Sequence, residues 1–280
     1  MTLLQSSLLY RAAEFCVLTI ILNVGLHAQN GYNFSTIDFP RGNSTQARGI
    51  NQQGDVVGLY TDPNTGLIRG FLLSGDSYSK IDYPGATQTF PRGINKKKDI
   101  VGYFIDANGV FHGFLLDLGG FHQIDVPGSL QTTIRGIADN ESMVGDTTFD
   151  NITNQCFVLK NGMYSTFSFP GQNVNNCVGI SKRGDVLGYY ENGGDFAFVR
   201  RLGRFRSINA LGLPLGMNDL DQVVGGSGND AYVADIGTFT IVNPPGASSA
   251  AARDINLGGV IVGNYTAFGV GHGFIATPNP

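Results

Sequence analysis

Short runs of β-branched and aromatic residues, each bounded by Gly, Asn or Asp, follow one another from about residue 32 to residue 276. Such runs are typical of β-strands, and no stretch after the N-terminal segment keeps the 3.6-residue period of an amphipathic helix. Many runs contain adjacent apolar residues, such as Val56 and Val57, instead of a strict alternation with polar residues. The pattern therefore predicts an all-β protein whose strands are covered on both faces.

The runs form six copies of a four-part unit with a period of about 43 residues. The first two copies show its parts: FSTID (34–38) and YSKID (78–82), GIN (49–51 and 93–95), VVG (56–58) and IVG (100–102), RGFLL (69–73) and HGFLL (112–116). Four short strands in each of six repeats predict a six-bladed β-propeller made of four-stranded antiparallel blades.

The lengths of the links indicate how the strands are ordered. The fourth part is joined to the next first part by four residues, which suits a hairpin within a blade. The link from the first part to the second has ten residues in five of the repeats, enough to cross to the next blade. Each blade should therefore run second, third, fourth and then first part, from the channel outwards. We expect one domain over residues 30–280, with the ring closed by residues 34–38 pairing beside residues 272–276.

The tandem HGF elements, together with GIN and DIVGYF at this period, resemble the bacterial extracellular repeats called the HAF family. The resemblance extends over about residues 32–276, although HGF itself is intact only at His112 and His272. It implies an extracellular location and a propeller-like repeat fold. It implies no catalytic residues.

The N-terminal segment has the pattern of a signal peptide. Arg11 is followed by an apolar core from Phe15 to Leu26 and then by Ala28. The core is too short to span a bilayer, which takes ~20 residues, but it suits a leader that is cleaved after Ala28. The alternative is a buried N-terminal helix. We expect residues 1–28 to be removed and the protein to be extracellular or periplasmic.

The composition argues against nucleic acid and membranes as partners. The net charge of −4 provides no basic patch for nucleic acid, and it gives no sign of electrostatic binding to a membrane.

After cleavage two cysteines remain, Cys156 and Cys177. An exported protein can form a disulfide between them, although two unpaired thiols are the alternative. We expect a monomer without a cofactor.

The long crossovers and the links of variable length lie on one face of the predicted propeller. Binding sites commonly lie on variable loops of a rigid scaffold. We therefore expect a ligand on this crossover face, near the central channel. The five long crossovers are residues 39–48, 83–92, 126–135, 169–178 and 244–253.

Four arginines stand just before the innermost strand: Arg48, Arg92, Arg135 and Arg253. One interpretation is a basic ring at the channel mouth that binds a carboxylate or phosphate through paired hydrogen bonds. The other is structural, because Asp38, Asp82 and Asp125 end the outer strands of the first three repeats and could pair with arginines. Arg253 faces Asn243 instead of an acid, so it is the arginine expected to be free for a ligand.

Other candidate residues are few. Tyr60, Tyr190 and Tyr265 lie near the variable links, where they could stack on a sugar or pack between blades. His112 and His272 belong to repeats separated by one blade, so they should not share a metal ion. The sequence contains no nucleophile elbow, zinc-protease motif or phosphate-binding loop.

These observations favour a secreted binding module over an enzyme. Its ligand would be a glycan or another surface or extracellular protein. The alternatives are a propeller enzyme of the lyase or glycoside hydrolase type, or a purely structural surface protein. An enzyme would require two carboxylates, or a histidine with a carboxylate, within reach of one substrate.

Overall fold

Each repeat folds into one antiparallel blade in a computed structural model, which describes residues 27–29, 31–235 and 238–280. The six blades surround a central channel, as the sequence pattern predicted. The described residues contain no helix, and so none that is long and apolar enough to cross a membrane.

Two strands at the start of the chain, β1 (His27–Gln29) and β2 (Tyr32–Ile37), belong to the last blade. Blade 1 is β3 (Asn43–Ile50), β4 (Val56–Thr61), β5 (Ile68–Ser74) and β6 (Ser77–Ile81). Blade 2 is β7 (Gln88–Ile94), β8 (Ile100–Ile105), β9 (Phe111–Asp117) and β10 (Gly120–Ile124). Blade 3 is β11 (Gln131–Ile137), β12 (Met143–Thr148), β13 (Gln155–Lys160) and β14 (Met163–Phe167).

The remaining blades have the same order from the channel outwards. Blade 4 is β15 (Asn175–Ile180), β16 (Val186–Glu191), β17 (Asp195–Arg201) and β18 (Arg204–Ser207). Blade 5 is β19 (Leu213–Met217), β20 (Val223–Ser227), β21 (Asp230–Asp235) and β22 (Thr238–Ile241). Blade 6 is β23 (Ser249–Ile255), β24 (Ile261–Ala267) and β25 (Val270–Pro278), completed by β2 and β1.

The ring closes through the predicted strand exchange. Strand β2 pairs antiparallel with β25, with Phe34 opposite Ala276 and Ile37 opposite Gly273. The short β1 pairs with the outer side of β2. Of the predicted signal peptide, residues 1–26 lie outside the described residues, and cleavage after Ala28 remains a prediction. Because β2 supplies the fourth strand, blade 6 is built from both ends of the chain.

Adjacent apolar residues are explained by the way the blades stack. Side chains alternate between the two faces of a strand, so Val56 packs towards blade 6 and Val57 towards blade 2. Both are fully buried. Within the described residues the core consists of six clusters, each between two successive blades. Stacked blades therefore bury both faces of their middle strands, which removes the polar alternation.

A disulfide bond joins two neighbouring blades. Cys156 of β13 and Cys177 of β15 form a disulfide, and both residues are fully buried. This is one of the two alternatives that the sequence left open. The bond ties the third strand of blade 3 to the innermost strand of blade 4.

Candidate functional site

A bulge recurs in the innermost strand of every blade, one residue before the position of the repeated glycine. In β3, for example, the pairing with β4 skips Arg48 between Ala47 and Gly49. A bulged residue leaves the regular ladder, so its side chain can be aimed in a new direction. The six bulged residues are Arg48, Arg92, Arg135, Val178, Leu215 and Arg253.

These six side chains line one chamber of the channel, together with Leu213 and Tyr189. The chamber has a volume of about 210 Å³ and lies on the crossover side of the bulges. A second chamber of about 100 Å³ lies on the opposite, hairpin side and shares the six bulged residues. We call the first space the arginine chamber. The structure thus brings the four predicted arginines together inside the channel.

Arg135 is neutralised within its own blade. Its Nε and Nη2 donate to the two carboxylate oxygens of Asp146 on β12, and Thr133 Oγ1 donates to Asp146 at 2.7 Å. Burial acts to lower the pKa of Arg135, but the carboxylate of Asp146 outweighs it and raises that pKa above its usual value. Arg135 and Asp146 therefore form a compensated ion pair in the chamber wall.

Arg48 and Arg92 have only neutral partners among the described residues. Arg48 donates from Nη2 to the amide oxygen of Gln46. Arg92 donates from Nη2 to the hydroxyl of Tyr103 at 2.9 Å, and its guanidinium lies 5.2 Å from the centre of that ring. The Nε atoms of both arginines are buried and have no hydrogen-bond partner. Each of these two unneutralised arginines thus has a buried Nε–H donor without an acceptor among the described residues.

Arg253 also lacks an acidic partner among the described residues. Its Nε donates to the side-chain oxygen of Asn264 at 2.8 Å. Burial, followed by the positive charge of Arg92, lowers the pKa of Arg253 to about 10. Burial and the charges of Arg92 and Arg253 likewise hold the pKa of Arg48 well below its usual value. Three cations thus repel one another in one small space, where a bound anion would compensate them.

Asp254 stands where the other five blades have glycine, and its carboxylate faces the seam between blades 6 and 1. It accepts the backbone N–H of Ile50 at 3.0 Å and that of Ile255 at 2.9 Å. Burial raises the pKa of Asp254 to about 7 in spite of these two hydrogen bonds. The carboxylate lines the smaller chamber, behind the arginines. The carboxylate of Asp254 is therefore hydrogen bonded to two backbone N–H groups and does not pair with Arg253.

The interpretation of the arginines as partners of the outer-strand acids is wrong. Those acids contact residues near the beginning of the third strands: Asp38 with His272 at 2.9 Å, Asp82 with Arg69 at 3.8 Å, and Asp125 with His112 at 2.8 Å. In blade 5 the same positions hold Asn243 and Asp230, which hydrogen bond at 2.6 Å. These contacts hold the two outer strands of a blade together. The acids therefore lie at the outside of the ring, away from the arginines of the innermost strands.

His112 illustrates why these pairs have a structural role. Its Nδ1 contacts Asp125, and its Nε2 lies 3.8 Å from Asp106. The arrangement has the composition of a catalytic dyad, but an equivalent contact recurs in three other blades. No group of three potential metal ligands occurs among the residues that the structure describes.

The three candidate tyrosines lie away from the arginine chamber. Tyr60 is buried and stacks on Phe39 with ring centres 3.8 Å apart. Tyr190 stacks on Phe169 at 4.5 Å, and Tyr265 hydrogen bonds to Thr36 at 2.8 Å. These contacts favour the interpretation that the three tyrosines pack within the protein over the interpretation that they stack on a sugar.

Sequence reasoning missed two tyrosines that do reach the channel region, Tyr103 and Tyr189. Each directly follows the glycine of its second strand, whereas Tyr60, Tyr190 and Tyr265 come two residues after it. Because side chains alternate along a strand, these two positions face opposite sides of the blade. The position relative to the glycine was therefore the signal that could have found them.

Comparisons with solved structures agree with the fold. Virginiamycin B lyase from Staphylococcus aureus has 12% identity and a TM-score of 0.52, covering 88% of this chain and 99% of that one. The Aleuria aurantia lectin in complex with Fucα1-6GlcNAc has 11% identity and a TM-score of 0.52, covering 88% of this chain and 98% of that one. TolB from Acinetobacter baumannii has 10% identity and a TM-score of 0.54, covering 85% of this chain and 56% of that one.

These structural neighbours are propeller proteins, and at such identities the likeness concerns the fold alone. Neither a family model nor a curated protein matches the sequence.

Proposed function

We propose that this protein is an exported binding module that captures an anionic group of its ligand, a carboxylate or a phosphate, in the arginine chamber. One observation carries the proposal: Arg48, Arg92 and Arg253 line one chamber and have only neutral hydrogen-bond partners among the described residues. Unpaired cations away from bulk water are costly, so folded proteins usually pair them. A ligand anion would supply the missing partner.

The arrangement of acids favours binding over catalysis. Asp146 is held by Arg135, and Asp254 accepts two backbone N–H groups, so neither is poised to act on a ligand in the arginine chamber. The His112–Asp125 contact repeats in other blades as a link between strands. An enzyme of the lyase type remains the second candidate only through the shared propeller fold.

Export and the nature of the ligand rest on separate support. The predicted leader over residues 1–28 and the resemblance to the HAF repeats support an extracellular or periplasmic location. A propeller lectin with a bound glycan is similar in fold. We therefore expect the anionic group to belong to a glycan, such as a uronic acid, or to a surface protein.

Calorimetric titration of the mature chain with matched sugars tests the proposal. We expect glucuronic and galacturonic acid to bind, whereas glucose and galactose do not. Arg253→Gln should weaken the binding at least tenfold, in the range expected for a lost charge-assisted hydrogen bond of ~1.5–3 kcal/mol. Arg206→Gln is the matched control, since Arg206 is exposed on the outer strand of blade 4. Equal binding of neutral and acidic sugars, unaffected by Arg253→Gln, would contradict the proposal.

A further inference from the structure

The arginine chamber is divided into two unlike halves. Blades 6, 1 and 2 are consecutive around the ring and contribute the three unneutralised arginines, Arg253, Arg48 and Arg92. Each of these charges acts on at least one other: Arg92 and Arg253 disfavour the charge on Arg48, and Arg92 disfavours the charge on Arg253. The three arginines therefore line one side of the chamber from three consecutive blades.

The opposite half of the chamber is apolar. Blades 4 and 5 contribute Val178, Leu213 and Leu215, and the ring of Tyr189 completes the wall. All four side chains are half-buried, so they keep a surface open to the chamber. A ligand that fills the space would place an anionic group towards blades 6, 1 and 2 and an apolar group towards blades 4 and 5.

Building on the proposed function, we infer that the chamber binds a tetrahedral oxyanion, a phosphate or sulfate group, carried as a monoester by a compact apolar or aromatic group. A tetrahedral group presents three terminal oxygens in three directions, which suits three arginines that line one chamber from three consecutive blades. A carboxylate presents two oxygens in one plane and suits one fork of a single arginine. Three cations also favour a ligand with two negative charges, as a phosphate monoester has at pH 7.

The size of the chamber limits the organic part of the ligand. A cavity of ~150 Å³ accommodates a benzene ring, and the arginine chamber has a volume of about 210 Å³. The difference leaves room for one oxyanion group beside one ring. Phenyl phosphate and phenyl sulfate are therefore suitable probes, and benzoate is the planar, singly charged counterpart.

Calorimetric titration of the mature protein with phenyl phosphate, phenyl sulfate, benzoate and inorganic phosphate provides the test. We expect phenyl phosphate to bind at least tenfold more tightly than benzoate. Phenyl sulfate should fall between them, because it has the tetrahedral shape with one charge. Arg48→Gln, Arg92→Gln and Arg253→Gln should each weaken phenyl phosphate at least tenfold, whereas the exposed control Arg206→Gln should not.

The apolar wall is tested separately. Leu215→Ala should weaken phenyl phosphate by about fivefold through lost apolar contact and leave inorganic phosphate unchanged. Leu220→Ala is the matched control, since Leu220 is exposed in a hairpin on the other face. A thermal melt of each variant checks that it is folded. If Leu215→Ala weakens both ligands equally, the assignment of the two halves is wrong.

The two proposals fail in distinguishable ways. Benzoate binding as tightly as phenyl phosphate, with the same dependence on Arg253, would overturn the preference for a tetrahedral dianion and leave the anion-binding function intact. If none of the four probes and neither uronic acid binds in a manner that depends on Arg253, both proposals are wrong.

Discussion

At the scale of single residues, Arg135 and Arg48 occupy equivalent bulges and differ in their partners. Removing Arg135 would leave Asp146 as an uncompensated carboxylate with only 7% of its side chain exposed. Breaking such a pair from one side typically costs ~3–5 kcal/mol. Arg48 has no carboxylate to leave behind, so its removal relieves repulsion from Arg92 and Arg253.

We therefore predict that Arg135→Gln lowers the free energy of unfolding by about 3 kcal/mol, whereas Arg48→Gln leaves it unchanged or raises it by up to about 1 kcal/mol. Urea denaturation at pH 7 measures both values. Equal losses for the two variants would show that Arg48 has a stabilising partner of the same strength.

Asp254 makes stability depend on pH through its raised pKa. The pKa increases from an ordinary value of 3.8 to about 7 in the folded protein. Between these values the unfolded chain releases a proton that the folded protein retains. The contribution of Asp254 to stability is therefore fully present below about pH 4, is lost as the pH rises towards about 7, and stays constant above it.

We expect this loss to reach at most about 4 kcal/mol, since one pKa unit corresponds to ~1.4 kcal/mol and water in the channel reduces the effect. Asp254→Asn keeps an oxygen acceptor for the N–H of Ile50 and cannot ionise. The stability difference between the variant and the natural chain should shift in favour of the variant from pH 4 to pH 8. A difference that stays constant across this range would rule out titration of Asp254.

At the scale of elements, a close approach explains why each second strand carries a glycine at one position. A Cβ at Gly102 of β8 would lie 2.1 Å from the backbone oxygen of Phe90 and 2.9 Å from the ring of Phe114. The equivalent aromatic residues of the third strands are fully buried in all six blades: Phe71, Phe114, Phe157, Phe198, Tyr232 and Phe274. The glycine therefore lets this ring lie flat across its neighbouring strand.

We predict that Gly102→Ala lowers the free energy of unfolding by about 3 kcal/mol or more, because backbone must move to make room. Gly194→Ala is the control, since its Cβ would meet only the ring of Phe196 at 3.8 Å. Thermal unfolding of the two variants measures the difference. A small effect of Gly102→Ala would mean that β7 and β8 can separate without loss.

At the scale of the whole molecule, the ring depends on β2, which joins the beginning of the chain to its end. Without β2 the outer edge of β25 would be unpaired, and buried Phe34 and Ile37 would be lost from two inter-blade clusters. A chain that starts at residue 39 should therefore have a markedly lower melting temperature than one that starts at residue 31.

A synthetic peptide of residues 31–38, added to the shortened chain, should restore part of the lost melting temperature by pairing with β25. A scrambled peptide of the same composition is the control. Equal melting temperatures of the two chains would show that β2 does not close the ring.

Several features of the fold could be predicted because they depend on local repetition. A repeated strand pattern determines the number of blades, and the link lengths determine which strand lies next to the channel. The pairing of residues 34–38 beside residues 272–276 followed from a copy of the first part that is present at the start of the repeat array and missing after its last fourth part. The double apolar positions, such as Val56 and Val57, indicated burial on both faces.

The sequence by itself determined the blades, their order, the closure of the ring and the four arginine positions of the candidate site. Only the tertiary structure decided the partners of those arginines, because the bulge turns each side chain towards residues of the two inner strands of its own blade instead of towards the outer strand. These partners are Gln46, Tyr103, Asp146 and Asn264. The bulge aims Arg48 into the channel, away from Asp38, which contacts His272 at the rim. The structure also shows that Arg135 is paired with Asp146, whereas Arg48, Arg92 and Arg253 have no acidic partner among the described residues.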